Sequence, residues 1–173
     1  MSAPEFSRPV PLARLSTEPF RREISATLGE RAALARRFDL VSLDRLDAVV
    51  ELVRQGEDLV LLRAEFEAAF EQTCTVTLDP FASVLVERFA LLCGPPEAES
   101  AAAAVGGDEV AFELLAGDTI DVGEAVAQEF SLALPAFPRS PDAAVEVEPP
   151  ATEEAGPFAA LSHLLRRDGR NLQ

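Results

Sequence analysis

The sequence predicts an α+β fold, an antiparallel sheet of several strands with one or two covering helices. Three observations predict it. Residues 60–72 place Val60, Leu62, Ala64, Phe66, Ala68 and Phe70 on even positions and Arg63, Glu65, Glu67 and Glu71 on odd ones, the period of two of a half-buried strand. Just before it, Gln55-Gly56-Glu57-Asp58 reads as a turn, so a hairpin should run back to residues 46–54. Further on, GDTIDVGEAVAQEFSLALP (117–135) carries helix punctuation: Asp121 as N-cap, Glu124 three residues on as a capping box in form, and Leu134 before Pro135 as the stop.

The other elements read in chain order. Two β-prone runs, Phe6 to Leu12 and Phe20 to Ala26, are broken by Pro9, Pro11 and Pro19 and suit edge strands. LGERAALARRF (28–38) is rich in helix formers, with Leu34 and Phe38 four apart on one face. Residues 46–53 fit either a helical stripe or a strand face, and the neighbouring hairpin decides for strand. A further strand is expected from Ser83 to Leu92 after the turn at Asp79-Pro80, then a mobile surface loop over 94–107, GPPEAESAAAAVGG, and a short strand from Val110 to Leu114. The expected organisation is one α+β domain over 1–137, an acidic flexible linker over 138–156, and a short amphipathic helix with its tail over 157–173. In that last helix Pro157 would take the first position, with Phe158, Leu161 and Leu165 on one face.

Charge narrows the function. All 15 cations are arginine. Residues 1–63 hold ten arginines and ten acids, whereas residues 64–155 hold two arginines and 19 acids, so the second region repels phosphate. Direct RNA contact is therefore expected in the amino-terminal third or the tail. Arg21, Arg22, Arg31, Arg36 and Arg37 form the cationic concentration, and Arg31, Arg36 and Arg37 are the candidate RNA contacts. Glu65, Glu67 and Glu71, on the polar face of their strand, are the candidate contacts for a basic partner.

Several chemistries are not supported. Cys74, Cys93 and His163 are too few for a structural zinc site; a mixed carboxylate site would draw on Asp118, Asp121 and Glu124, but helix capping explains Asp121 and Glu124 without a metal. Nucleophilic catalysis wants an adjacent base, and the single histidine, His163, sits in the tail. There is no phosphate-cradling glycine loop, and no lysine to complete one. The expectation is a binding protein rather than an enzyme, without cofactor, metal or small-molecule substrate. No run of 18 apolar residues is present and the start lacks the apolar core of a signal peptide, which predicts a soluble cytoplasmic protein with no membrane partner.

Three segments resemble a known family: FEAAFEQTCTVTLDPFASVLVERFALL (66–92), GDTIDVGEAVAQEFSLALPAFPRSP (117–141) and GPFAALSHLL (156–165). They are similar to the YceD-like proteins, also called large ribosomal RNA subunit accumulation proteins, in their proteobacterial branch. The motif positions are Gln72, Cys74, Thr77, Asp118, Asp121, Pro138, Arg139 and Phe158. The resemblance implies a bacterial cytosolic protein needed for accumulation of large-subunit rRNA during ribosome biogenesis, with no established catalytic residues. Many relatives carry a CxxC at the strand turn and another near the carboxyl terminus. Here Thr77 takes the second position of the first pair and the terminal pair is missing, so a metal role does not transfer. Two functions then compete. The leading expectation is an assembly factor acting on large-subunit rRNA or its precursor, and the alternative is an acidic chaperone-like module for a basic ribosomal protein. Exchanging Arg31, Arg36 and Arg37 for Gln is expected to weaken RNA association while barely changing fold stability.

Overall fold

Long strands with one apolar face dominate the molecule, and their pattern dictates its layers. The computed structural model describes residues 4–56, 58–100, 102, 110–115 and 117–144. The chain divides into two units, Met1–Ala143 and Ala144–Gln173, and the first holds all the elements named below. The expected helix over 157–173, with Phe158 and His163, and most of the expected acidic linker lie outside the described residues.

The elements are β1 (Pro9–Pro11), β2 (Phe20–Ser25), α1 (Leu28–Arg37), β3 (Ser42–Gln55), β4 (Leu59–Thr73), β5 (Pro80–Gly94), β6 (Ala111–Leu114), β7 (Thr119–Asp121) and α2 (Val122–Ala133). A five-stranded sheet runs in the order β2-β3-β4-β5-β6, and β1 and β7 form a separate antiparallel ribbon. The α+β class is therefore as expected. So is the hairpin: β3 and β4 pair antiparallel from Gln55 opposite Leu59 to Ser42 opposite Glu71. Gly56 turns it with φ at +79°, a left-handed conformation that glycine adopts without a Cβ penalty. One departure from the expected antiparallel sheet is β6, which pairs parallel with the last four residues of β5, from Leu91 opposite Ala111 to Gly94 opposite Leu114. Within the stretch expected as a mobile loop, Pro96–Ala98 forms a 3-10 turn, and Ala98 and Ala102 are buried against Leu59 and Leu92.

The even face of β4 forms the core. Leu62, Ala64, Phe66, Ala68 and Phe70 are buried with Leu46, Ala48, Val50 and Leu52 of β3, their register partners or near neighbours. From α2, Phe130 meets Phe66 and Phe70 edge-on, with ring centroids 6.1 and 5.4 Å away, and it meets Phe38 in the same manner at 5.7 Å. Edge-to-face packing suits the aromatic quadrupole. The second helix thus covers this face of the sheet, as its sequence predicts. From α1, Leu34 and Ala35 enter the same core.

The helix starts are built differently from the sequence reading. Asp121 caps α2 by accepting from the N–H groups of Gly123 and Glu124, but Glu124 does not reach back to complete a box. Its carboxylate takes Arg37 instead. The reciprocal box is on α1, where Thr27 accepts from Glu30 N–H and the Glu30 side chain accepts from Thr27 N–H at 2.7 Å.

Candidate interaction surface

Alternation along the strands leaves the other face of the sheet charged. On β2 to β5 it carries Glu23, Asp47, Glu51, Glu65, Glu67 and Glu71 together with Arg21, Arg45, Arg63 and Arg88. Glu65 accepts from Arg88 Nε at 2.9 Å, and Glu67 pairs with Arg45. Between the charges lie small and branched apolar side chains. One groove of about 650 Å³ is lined by Arg21, Val49, Glu51, Arg63, Glu65 and Arg88. A neighbouring one of about 430 Å³ is lined by Glu23, Asp47, Val49, Glu65, Glu67 and Val86. Strands of 14 and 15 residues twist appreciably over their length, which makes such a face grooved rather than flat.

The three acids expected on the polar strand face thus share one surface. Glu71 is half-exposed there, opposite Ser42 and Ala82. The three arginines expected to meet RNA fare differently. Arg37, at the surface, is paired within its own chain: its guanidinium donates to both oxygens of Glu124, at 3.0 and 2.8 Å, and to Glu5 at 3.0 Å. These carboxylates, Glu124 foremost, raise its pKa further above an already high value. Arg31 donates to the backbone carbonyl of Asp44, while its buried Nε has no partner. Arg36 is exposed.

Most family-motif positions are joints of the fold. Around Asp121, Oδ1 accepts from Arg8 N–H at 2.6 Å and Oδ2 from Ser7 Oγ at 2.5 Å, in addition to its capping bonds. This ties the amino-terminal segment to the start of α2. The Asp118 carbonyl accepts from Leu12 N–H at 2.8 Å alongside it. A second joint lies at the end of β4. Cys74 is 0% exposed, and its Sγ accepts from the N–H groups of Val76, Thr77 and Ser140 at 3.4, 3.5 and 3.4 Å. The donors, led by Ser140 N–H and then by the Thr77 side chain and N–H, outweigh burial and hold the thiol at about 7. At Cys93, burial first and Glu113 second push the thiol up to about 12. The Pro138 carbonyl accepts from both N–H and Oγ1 of Thr75, and Arg139 donates to the Ala143 carbonyl. Gln72 is buried at 6% exposure and donates to Ser83 Oγ.

Around Cys74, hydroxyls rather than thiols stand at Thr75 and Thr77, and among the described residues no three of His, Cys, Asp and Glu gather into a metal-holding group. Among those residues, too, no helix is long and apolar enough to cross a membrane.

Sequence reasoning placed Arg63 on the polar side of its strand but did not single out Arg88, Val84 and Val86 on the open face. The alternation over 83–92 was readable, but which strand ends the sheet was not.

Among the described residues, fold and surface define an α+β protein that packs one face of its sheet with helices and leaves the other open and charged. The family model for the large ribosomal RNA subunit accumulation protein YceD matches residues 62–165, and the chain belongs to that family. The family is named for accumulation of large-subunit ribosomal RNA, and involvement in that process comes with membership. No curated protein and no solved structure matches the chain.

Proposed function

We propose that this chain is a non-enzymatic assembly factor of the large ribosomal subunit, acting in the cytoplasm, and that it promotes accumulation of the subunit's RNA by holding a basic ribosomal protein. The carrying observation is the open sheet face, where six carboxylates outnumber four guanidiniums and two of those cations already pair with Glu65 and Glu67. A cationic protein gains from such a field, while a phosphate backbone needs cations to displace its counterions. The commitment of Arg37 to Glu5 and Glu124 supports the same reading, because it withdraws a cation from the expected RNA patch.

Direct contact with rRNA or its precursor is the second reading. It is favoured by Arg21, Arg22 and Arg36, which are exposed and hold no ion pair among the described residues. Crosslinking in cells, with sequencing of recovered RNA and mass spectrometry of recovered proteins, separates the two. A basic large-subunit protein crosslinked through the sheet face supports the first. Recovery of rRNA alone, through the arginines, supports the second and removes the first.

A further inference from the structure

The sheet has an unfinished edge. On one side, β5 pairs with β4 from Pro80 to Cys93. On the other side β6 covers only Leu91–Gly94, and among the described residues no strand pairs with Pro80–Ala90. Eleven residues of strand span roughly 35 Å, and in an antiparallel ladder every second residue turns its N–H and C=O outward. Protein edges of this kind are normally guarded by charged side chains, lysine above all, by proline or by a bulge. The stretch 81–90, FASVLVERFA, has neither lysine nor proline, its register with β4 is unbroken, and its two charges lie together at Glu87 and Arg88, the latter paired with Glu65, which leaves Phe81–Val86 without a charge. On the open face of the sheet, opposite Ala69 and Glu67, Val84 and Val86 are 66% and 57% exposed.

We infer that the β5 edge accepts an extended, cationic segment of a partner protein as a sixth strand. This rests on the protein-holding reading and adds its mode and location. Backbone pairing would supply the adhesion common to strand addition, while alternate side chains supply selectivity. A partner strand would set β-branched residues beside Val84 and Val86. A lysine or arginine on that same face would reach past Val86 toward Glu67 or past Ala82 toward Glu71 on β4, and one on the opposite face would stand beside Glu87 of β5. Charge selects among occupants. A second copy would bring another net charge of −15 to the same edge, and a polyphosphate would be repelled likewise.

The test titrates the full chain with a twelve-residue alternating lysine–valine peptide and with an equally charged lysine–proline peptide. Binding is measured by calorimetry and by hydrogen exchange of amides 81–90. The alternating peptide is expected to bind at least tenfold more tightly and to slow exchange along that edge. The double variant Val84→Lys with Val86→Lys should abolish the preference without lowering the melting temperature, because both side chains are exposed. Equal binding of the two peptides, with no slowing at 81–90, overturns the added strand yet leaves charge-based holding in place. Binding of neither overturns both readings. Slow exchange at 81–90 without peptide, in a species of twice the chain mass, assigns the edge to a second copy and also overturns the inference.

Discussion

Single side chains in this protein join segments far apart in sequence. Asp121 starts a helix and grips Ser7 and Arg8, and Arg37 bridges Glu5 and Glu124. Exchanging Arg31, Arg36 and Arg37 together for Gln is therefore expected to touch the fold at Arg37. Urea denaturation is expected to show a loss from Arg37→Gln of about 1 kcal/mol, the upper range for a partly exposed pair. Arg36→Gln, at an exposed position, should cost nothing measurable. Equal stability of both variants would mean the Arg37 pairs are not held in solution. Cys74 gives a pH-dependent expectation. Its thiol titrates at about 7 in the fold, against an ordinary 9.0, because the N–H donors prefer the thiolate. A depressed folded value stabilises the fold only where the thiolate forms. The stability difference between the protein and Cys74→Ala should therefore grow from pH 7 to pH 9, level off above it, and shrink as pH falls through 7. Denaturation at pH 6 and pH 9 checks this, and a difference independent of pH would contradict it.

At the scale of elements, α2 holds the helical layer to the sheet through two contrasting residues. Phe130 is fully buried against Phe38, Phe66 and Phe70, so Phe130→Ala should cost about 3–5 kcal/mol. Gly123 is its opposite. A Cβ there would meet the Phe6 carbonyl oxygen at 2.3 Å and Arg8 N at 3.0 Å. Although alanine is the better helix former, Gly123→Ala should destabilise by roughly 1–3 kcal/mol, the range for overpacking a rigid site. A melting temperature at or above the parent's would show that the amino-terminal segment does not lie there. How far the elements could be read from sequence depended on reach. The alternation at 60–72 and the Asp121 N-cap are local, and both were legible. Thr27-Leu28-Gly29-Glu30 carries the same capping spacing as Asp121 to Glu124, and spacing alone does not show that Arg37 takes the Glu124 carboxylate away from its own helix start. By contrast, β1 and β7 are three residues each and pair across more than a hundred positions, and β6 docks parallel after a crossover. Neither pairing leaves a local period.

On the scale of the whole molecule, charge and topology agree. The acids counted in residues 64–155 include Glu65, Glu67 and Glu71, which the β3–β4–β5 register gathers on the uncovered sheet face. That face was half legible: the acidic strand could be read from its alternation, but the arginine pairings and the open β5 edge depend on which strands are neighbours. Membership in the YceD family sets the process, large-subunit rRNA accumulation, and our proposal that a protein rather than RNA is held rests on the charge of the sheet face. The most direct measurement is size-exclusion chromatography of the full chain mixed with RNA-free total proteins of the large subunit, and separately with protein-free large-subunit rRNA, over a range of salt. A basic ribosomal protein is expected to co-elute at low salt and to be lost when Glu65, Glu67 and Glu71 are changed together to Gln, with no shift of the naked rRNA. Co-elution with naked rRNA that weakens with salt and disappears on exchanging Arg21, Arg22 and Arg36 for Gln, with no protein retained, would contradict it.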